Sequence, residues 1–171
     1  MTLFQSVAMV VATSAVVWDL STRRIPNVLT FGAALLAFVT HGSLDGWSAL
    51  GMSLGGWAVG VAFFFPLFAL GGMGGGDVKL LGAIGAWLGP IPVIWVALFS
   101  GIAGGIMGLV VAGFSGYLKQ AFRNVWGLLL YWRVAGVRPL PELTLSSTSR
   151  APRLAYAVPV LAGLMVTLWW R

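Results

Sequence analysis

Long uncharged stretches, broken by short clusters of charge, dominate the chain. Residues 1–18, 25–44, 46–76, 80–118 and 154–170 contain no Asp, Glu, Lys or Arg. A helix crosses a hydrocarbon core about 30 Å thick with about 20 apolar residues, so each stretch is a candidate span. The 80–118 stretch has room for two, and Gly89-Pro90-Ile91-Pro92 supplies a turn inside it. The pattern predicts an all-α, polytopic membrane protein with six transmembrane helices at about residues 2–18, 28–42, 48–70, 77–89, 92–117 and 154–170. Residues 1–171 then form a single membrane-embedded domain. The first stretch has no basic segment ahead of its apolar run and reads as a span, not a cleaved signal. The fourth reaches only about 20 Å at 1.5 Å per residue, less than the core thickness.

The 118–153 loop is the main segment outside the membrane. In its Gly116–Arg133 part, Lys119, Arg123 and Arg133 alternate with Phe122, Trp126, Leu129 and Trp132. The uncharged piece Asn124–Trp132 is too short to span, so a short interfacial amphipathic helix is expected there. Pro139–Pro152, with Ser146-Ser147-Thr148-Ser149, reads as a linker.

Composition narrows the class. Apolar residues make up 59% of the chain and charged residues 8%, with a mean hydropathy of +0.95. Soluble domains carry roughly 25% charged residues, so a solvated globule is excluded. The net charge of +6 is explained by topology and not by nucleic acid. With six spans, Arg23, Arg24, Lys79, Lys119, Arg123, Arg133, Arg138, Arg150 and Arg153 fall on one side, and Arg171 and Asp45 on the other. The positive-inside rule places the basic side, with the 118–153 loop, in the cytoplasm. The chain has no cysteine, which removes disulfides, thiolate nucleophiles and cysteine zinc sites. Its 24 glycines include Gly51/Gly55, Gly56/Gly60, Gly85/Gly89, Gly101/Gly105 and Gly104/Gly108. This small-xxx-small spacing lets membrane helices approach closely and reads as packing within the bundle in preference to a dimerisation face.

Four acidic residues exist: Asp19, Asp45, Asp77 and Glu142. Asp19 ends the first span and Asp77 begins the fourth, both toward the cytoplasm. A lone boundary aspartate is also explained by hydration or by pairing with Arg23, Arg24 or Lys79. The run Gly71-Gly72-Met73-Gly74-Gly75-Gly76 ahead of Asp77 changes the balance. Each glycine costs about 1 kcal/mol relative to alanine in a helix, and irregular backbone near membrane depth persists only where protein covers it or water fills a cavity. Asp77 is therefore expected in a wet cleft with space for an extended peptide backbone. Two carboxylates on one cleft resist double ionisation, so one stays protonated while the other activates water. The glycine run matches no phosphate-binding pattern, no cofactor is called for, and no metal site is expected. The single histidine, His41, falls on the opposite face.

The segments that carry this chemistry resemble a known family. Trp18-Asp19-Leu20-Ser21-Thr22-Arg23-Arg24-Ile25-Pro26-Asn27 is similar to the first-aspartate motif of type IV prepilin peptidases. Gly74-Gly75-Gly76-Asp77-Val78-Lys79-Leu80 resembles their Gly-x-Gly-Asp motif, and Gly82–Pro92 and Ala155–Pro159 are similar too. The resemblance implies a membrane aspartic endopeptidase of the bacterial inner membrane that cuts leaders from prepilins or pseudopilins at the cytoplasmic face. It implies Asp19 and Asp77 as the catalytic pair, Gly74 and Gly76 as shapers of the loop, and Lys79 as a neighbour of the site that anchors the interface. Its partners are then a substrate with a transmembrane helix and membrane lipids, whose phosphates the basic loops can hold. The long members carry a cysteine-bearing cytoplasmic segment associated with N-methylation. Only Asp19–Ile25 separates the first two spans here, so the chain resembles the short form of tight-adherence (Flp) pilus systems, without methyltransferase activity. Two other readings use the same aspartates: a proton-coupled transporter, since paired intramembrane carboxylates also relay protons, and a non-catalytic assembly subunit in which they only orient helices.

Overall fold

The computed structural model describes residues 2–70, 72–114, 116, 123, 126, 127, 130, 133 and 155–170. Its elements are α1 (Leu3–Thr22), α2 (Asn27–Leu44), α3 (Gly46–Ala69), α4 (Gly75–Leu88), α5 (Pro90–Phe114) and α6 (Ala157–Trp170). Among the described residues there is no strand, and the protein is an all-α, polytopic membrane protein. Only scattered residues of 116–133 are described. The interfacial helix expected there, like the linker at 139–152, lies outside the described residues.

Local chemistry sets the helix ends. Thr2 and Gln5 form a reciprocal capping box at the start of α1, with the Thr2 amide donating to Gln5 Oε1 at 2.9 Å. At its other end Arg23 adopts a left-handed conformation (φ 56°), and its amide donates to the Asp19 carbonyl at 2.9 Å. Pro26 then starts α2 by fixing an extended backbone ahead of Asn27. Gly46, at φ +82°, turns the chain straight from α2 into α3, and Gly89, at φ +86°, does the same between α4 and α5.

The exposed faces are those of a protein solvated by lipid. Val10, Val17, Leu35, Leu36, Ile102 and Ile106 all face outward, an apolar surface larger than a water-soluble monomer tolerates. Trp47, Trp169 and Trp170 are also strongly exposed near helix ends, as interfacial aromatics are. Four helices, α1, α2, α3 and α5, are long and apolar enough to cross a membrane. The remaining two, α4 and α6, have 14 residues each, about 21 Å at 1.5 Å per residue.

The short α4 is the axis of the bundle. It packs against all five other helices, and its interior-facing set runs unbroken from Leu80 to Trp87. A helix apolar all round is covered either by protein or by lipid, and around α4 the cover is protein. Here α1 and α2 present alanines (Ala8, Ala12, Ala15, Ala33, Ala34, Ala37) that keep the surrounding helices near. On the α3 side the approach is closer. A Cβ on Gly56 would collide with the Gly85 carbonyl, one on Gly85 with the Gly56 carbonyl, and one on Gly60 would lie 2.6 Å from the Leu81 carbonyl. The Ser53 hydroxyl donates to the Ala86 carbonyl at 2.6 Å across the same seam.

Several boundaries differ from the sequence expectation: α1 runs past Asp19 to Thr22, α5 ends at Phe114, α6 starts at Ala157, and α4 starts early. The helix starts at Gly75 and not at Asp77, so Gly75 and Gly76 are helical. The cost of two glycines in a first turn is offset because side chains there would meet close neighbours. A Cβ on Gly76 would stand 3.3 Å from that of Ile25.

The glycines of the small-xxx-small spacing divide sharply. Gly56, Gly60, Gly85 and Gly104 meet neighbours, whereas Gly51, Gly55, Gly101 and Gly105 have nothing within 4 Å of an added Cβ. Gly56→Ala should therefore destabilise the fold by about 1–3 kcal/mol, the usual cost of overpacking, while the adjacent Gly55→Ala leaves stability unchanged or slightly raised. Thermal unfolding of the two variants in the same detergent measures the difference.

Candidate active site

The residues that the α1–α2 connection and the start of α4 carry converge at one end of the bundle. They enclose a cavity of about 470 Å³, lined by Asp19 of α1, by Arg23–Pro26 of the connection, by Asn27 at the start of α2, and by Gly74–Asp77. Both carboxylates reach this one cavity, and each residue is only 8% exposed. A slightly larger cavity, of about 510 Å³, lies between Trp95, Phe99, Thr167 and Trp170. None of those four residues is titratable.

Asp77 sits in the first turn of α4. Its amide donates to the Gly74 carbonyl at 3.2 Å, and its carboxylate folds back toward Gly74 at the helix start. A Cβ on Gly74 would lie 3.1 Å from Asp77 Oδ2, so glycine there leaves the carboxylate this position.

Asp19 is held from the far end of the chain. The Ala157 amide donates to its Oδ2 at 3.4 Å in a buried contact. At the start of α6 the Val158 amide donates to the Ala155 carbonyl and the Val160 amide to the Tyr156 carbonyl, each at 3.2 Å. Pro159 has no N–H to give. The Ala157 amide is thus the donor of that turn left for Asp19. Tyr156 anchors the turn: its ring meets Phe64 of α3 edge-on at 5.8 Å, and its hydroxyl occupies the space that a side chain at Gly104 of α5 would need. The sequence singles out Ala155–Pro159 but not its contact with Asp19, which joins residues far apart along the chain.

The other expected site residues are placed as follows. Gly74 and Gly76 line the cavity with Asp77. Lys79 does not turn to Asp77; its Nζ donates to Asn27 Oδ1 at 3.0 Å and lies 5.2 Å from the centre of the Phe31 ring. His41 is remote, its ring 4.2 Å from Phe4 and 6.3 Å from Trp87, with Nδ1 3.6 Å from Asp45 Oδ2. Among the described residues no three His, Cys, Asp or Glu side chains cluster as metal ligands.

Residues 6–109, which include both cavity aspartates, match the type IV leader peptidase family. The chain belongs to that family. It is also 32% identical over 143 residues to a prepilin leader peptidase/N-methyltransferase of Legionella pneumophila, an alignment that covers 76% of this chain and 50% of the relative. The chain thus spans about half the length of the curated relative it matches. No solved structure matches it. Membership covers the helices that supply Asp19 and Asp77, whereas α6, which supplies the Ala157 amide, lies beyond the matched residues.

The convergence of the α1–α2 connection on α4 has a direct check, because the protein has no native cysteine. A Cβ at position 76 would lie 3.3 Å from that of Ile25, close to the separation of about 3.5–4.5 Å that disulfides span. The double variant Ile25→Cys/Gly76→Cys should cross-link under mild oxidation in native membranes. Ile25→Cys/Gly55→Cys should not, because an added Cβ at Gly55 has nothing within 4 Å. Mass analysis of a peptide digest distinguishes them.

Proposed function

We infer that this protein is an aspartic endopeptidase that removes the leader from type IV prepilins at the cytoplasmic face of the bacterial inner membrane, with Asp19 and Asp77 as its catalytic pair. The observation that carries the reading is the convergence of two buried carboxylates on one polar cavity in a chain of the leader peptidase family. The basic residues at 23 and 24 beside that cavity favour the cytoplasmic side. Short connections between the first helices and the lack of cysteine favour a Flp-type substrate and leader cleavage without methyl transfer.

The chemistry follows from sharing a proton. Two like charges on one cavity are not both ionised, so one aspartate is neutral and the other charged. The charged carboxylate takes a proton from a water as the water oxygen bonds to the scissile carbonyl carbon. The neutral partner donates a hydrogen bond to the carbonyl oxygen as it gains charge. Collapse of the tetrahedral intermediate breaks the C–N bond, and the amine leaves with a proton returned from the first carboxylate. No metal or organic cofactor enters any step. The prepilin's apolar helix lies in the bilayer beside the bundle while its leader junction reaches the cavity in extended form.

Purified protein in liposomes with a prepilin should yield a shortened product. Either Asp19→Asn or Asp77→Asn should reduce the rate by about a thousandfold or more, as loss of a catalytic group does, while the variants still insert and melt normally. Because one aspartate must be charged and the other neutral, kcat/KM should follow a bell-shaped pH profile. Normal cutting by both variants overturns the assignment, and proton flux without cutting favours a transporter.

A further inference from the structure

We propose that Asn27 is a substrate-binding residue whose side-chain amide donates to a backbone carbonyl of the bound peptide, and that Lys79 is the positioning residue that aims it. The inference rests on the peptidase reading and identifies how the same cavity grips an extended chain.

The argument starts from what an ammonium group can do. Lysine has donors and no acceptor, so the Asn27 side chain meets Lys79 Nζ, at 3.0 Å, through Oδ1. An amide with its oxygen fixed has its nitrogen fixed on the other side. Lys79 is itself held, its Nζ 5.2 Å from the Phe31 ring centre, at the distance of a cation–π contact. Asn27 and Phe31 lie on the first turns of α2, and Lys79 on the first turns of α4. The triad therefore ties the two helix starts that flank the cavity.

Asn27 lines that cavity with Asp19 and Asp77, and among the described residues its Nδ2 donates to nothing. The two carboxylates offer a peptide mainly acceptors, and the cations Arg23 and Arg24 are on long side chains. Asn27 adds a neutral pair of N–H donors on a short side chain. An extended peptide entering a cavity next to lipid needs such a donor, because a backbone carbonyl stripped of water and left unpaired is costly. A neutral donor also holds the carbonyl without neutralising the aspartates.

Steady-state kinetics with a prepilin in liposomes test this. Asn27→Ala should raise KM about tenfold with kcat within about twofold, the loss of roughly one hydrogen bond. Asn27→Asp, which still pairs with Lys79 but has no donor, should raise KM at least as much. Lys79→Met should raise KM about threefold and Lys79→Arg should restore it, since the guanidinium still donates to Oδ1. In the Asn27→Ala background, Lys79→Met should change KM no further. A purely structural role for the pair would lower the melting temperature and kcat without this non-additive KM pattern. Wild-type KM in Asn27→Ala, or equal Lys79→Met effects in both backgrounds, overturns the proposal. The same comparison read as binding of uncut prepilin to the Asp77→Asn variant does not depend on cleavage. Retained affinity differences with no cutting by the wild type would overturn the peptidase reading alone, and normal cutting with no affinity difference would overturn the Asn27 assignment alone.

Discussion

The whole arrangement depends on the close seam between α3 and α4. With Gly56 and Gly85 meeting backbone to backbone, a helix of 14 residues is held in the middle of five others. The start of this short helix is only partly covered by protein, with Gly74 exposed and Gly75 and Gly76 half-buried. Its polar start then needs partners from neighbouring elements, because bare backbone near membrane depth needs protein or water around it. The end of α1, the α1–α2 connection and the first turn of α6 supply them. The cavity at Asp77 is thus a consequence of packing a short helix as the axis, and a wider seam would let its neighbours move apart.

Three sources of order act on the two aspartates. The first turn of α4 folds the Asp77 carboxylate toward Gly74, where a side chain would crowd it. The Ala157 amide reaches Asp19 from α6. Gly76 brings Ile25 against α4, so the connection that follows Asp19 cannot drift from the turn that carries Asp77. None of these contacts involves a second side-chain charge. Lys79, close in sequence to Asp77, is instead directed to Asn27 and Phe31.

Much of the fold was legible along the chain because lipid imposes a severe rule on sequence. Every backbone polar group in a span must be satisfied within it, so uncharged runs of adequate length become helices and charge clusters become their ends. Gly89-Pro90 divided the longest run for a local reason, the positive φ that Gly89 adopts. The start of α4 was misplaced by two residues because helix propensity disfavours glycine, while close side chains of Phe68 and Ile25 favour it at Gly75 and Gly76. The glycine spacings could not separate Gly56 from Gly55, since both fit small-xxx-small pairs and only one meets another helix.

Sequence by itself determined an all-α membrane protein, its helix order, the scarcity of acids that singled out Asp19 and Asp77, and the motifs that assign the family. These are local or compositional properties, readable wherever they occur. Tertiary structure alone decided that the two aspartates share one cavity, that α6 reaches back to Asp19, and that Lys79 serves Asn27. Those depend on which helix faces lie against one another, and that is set by packing between residues far apart along the chain.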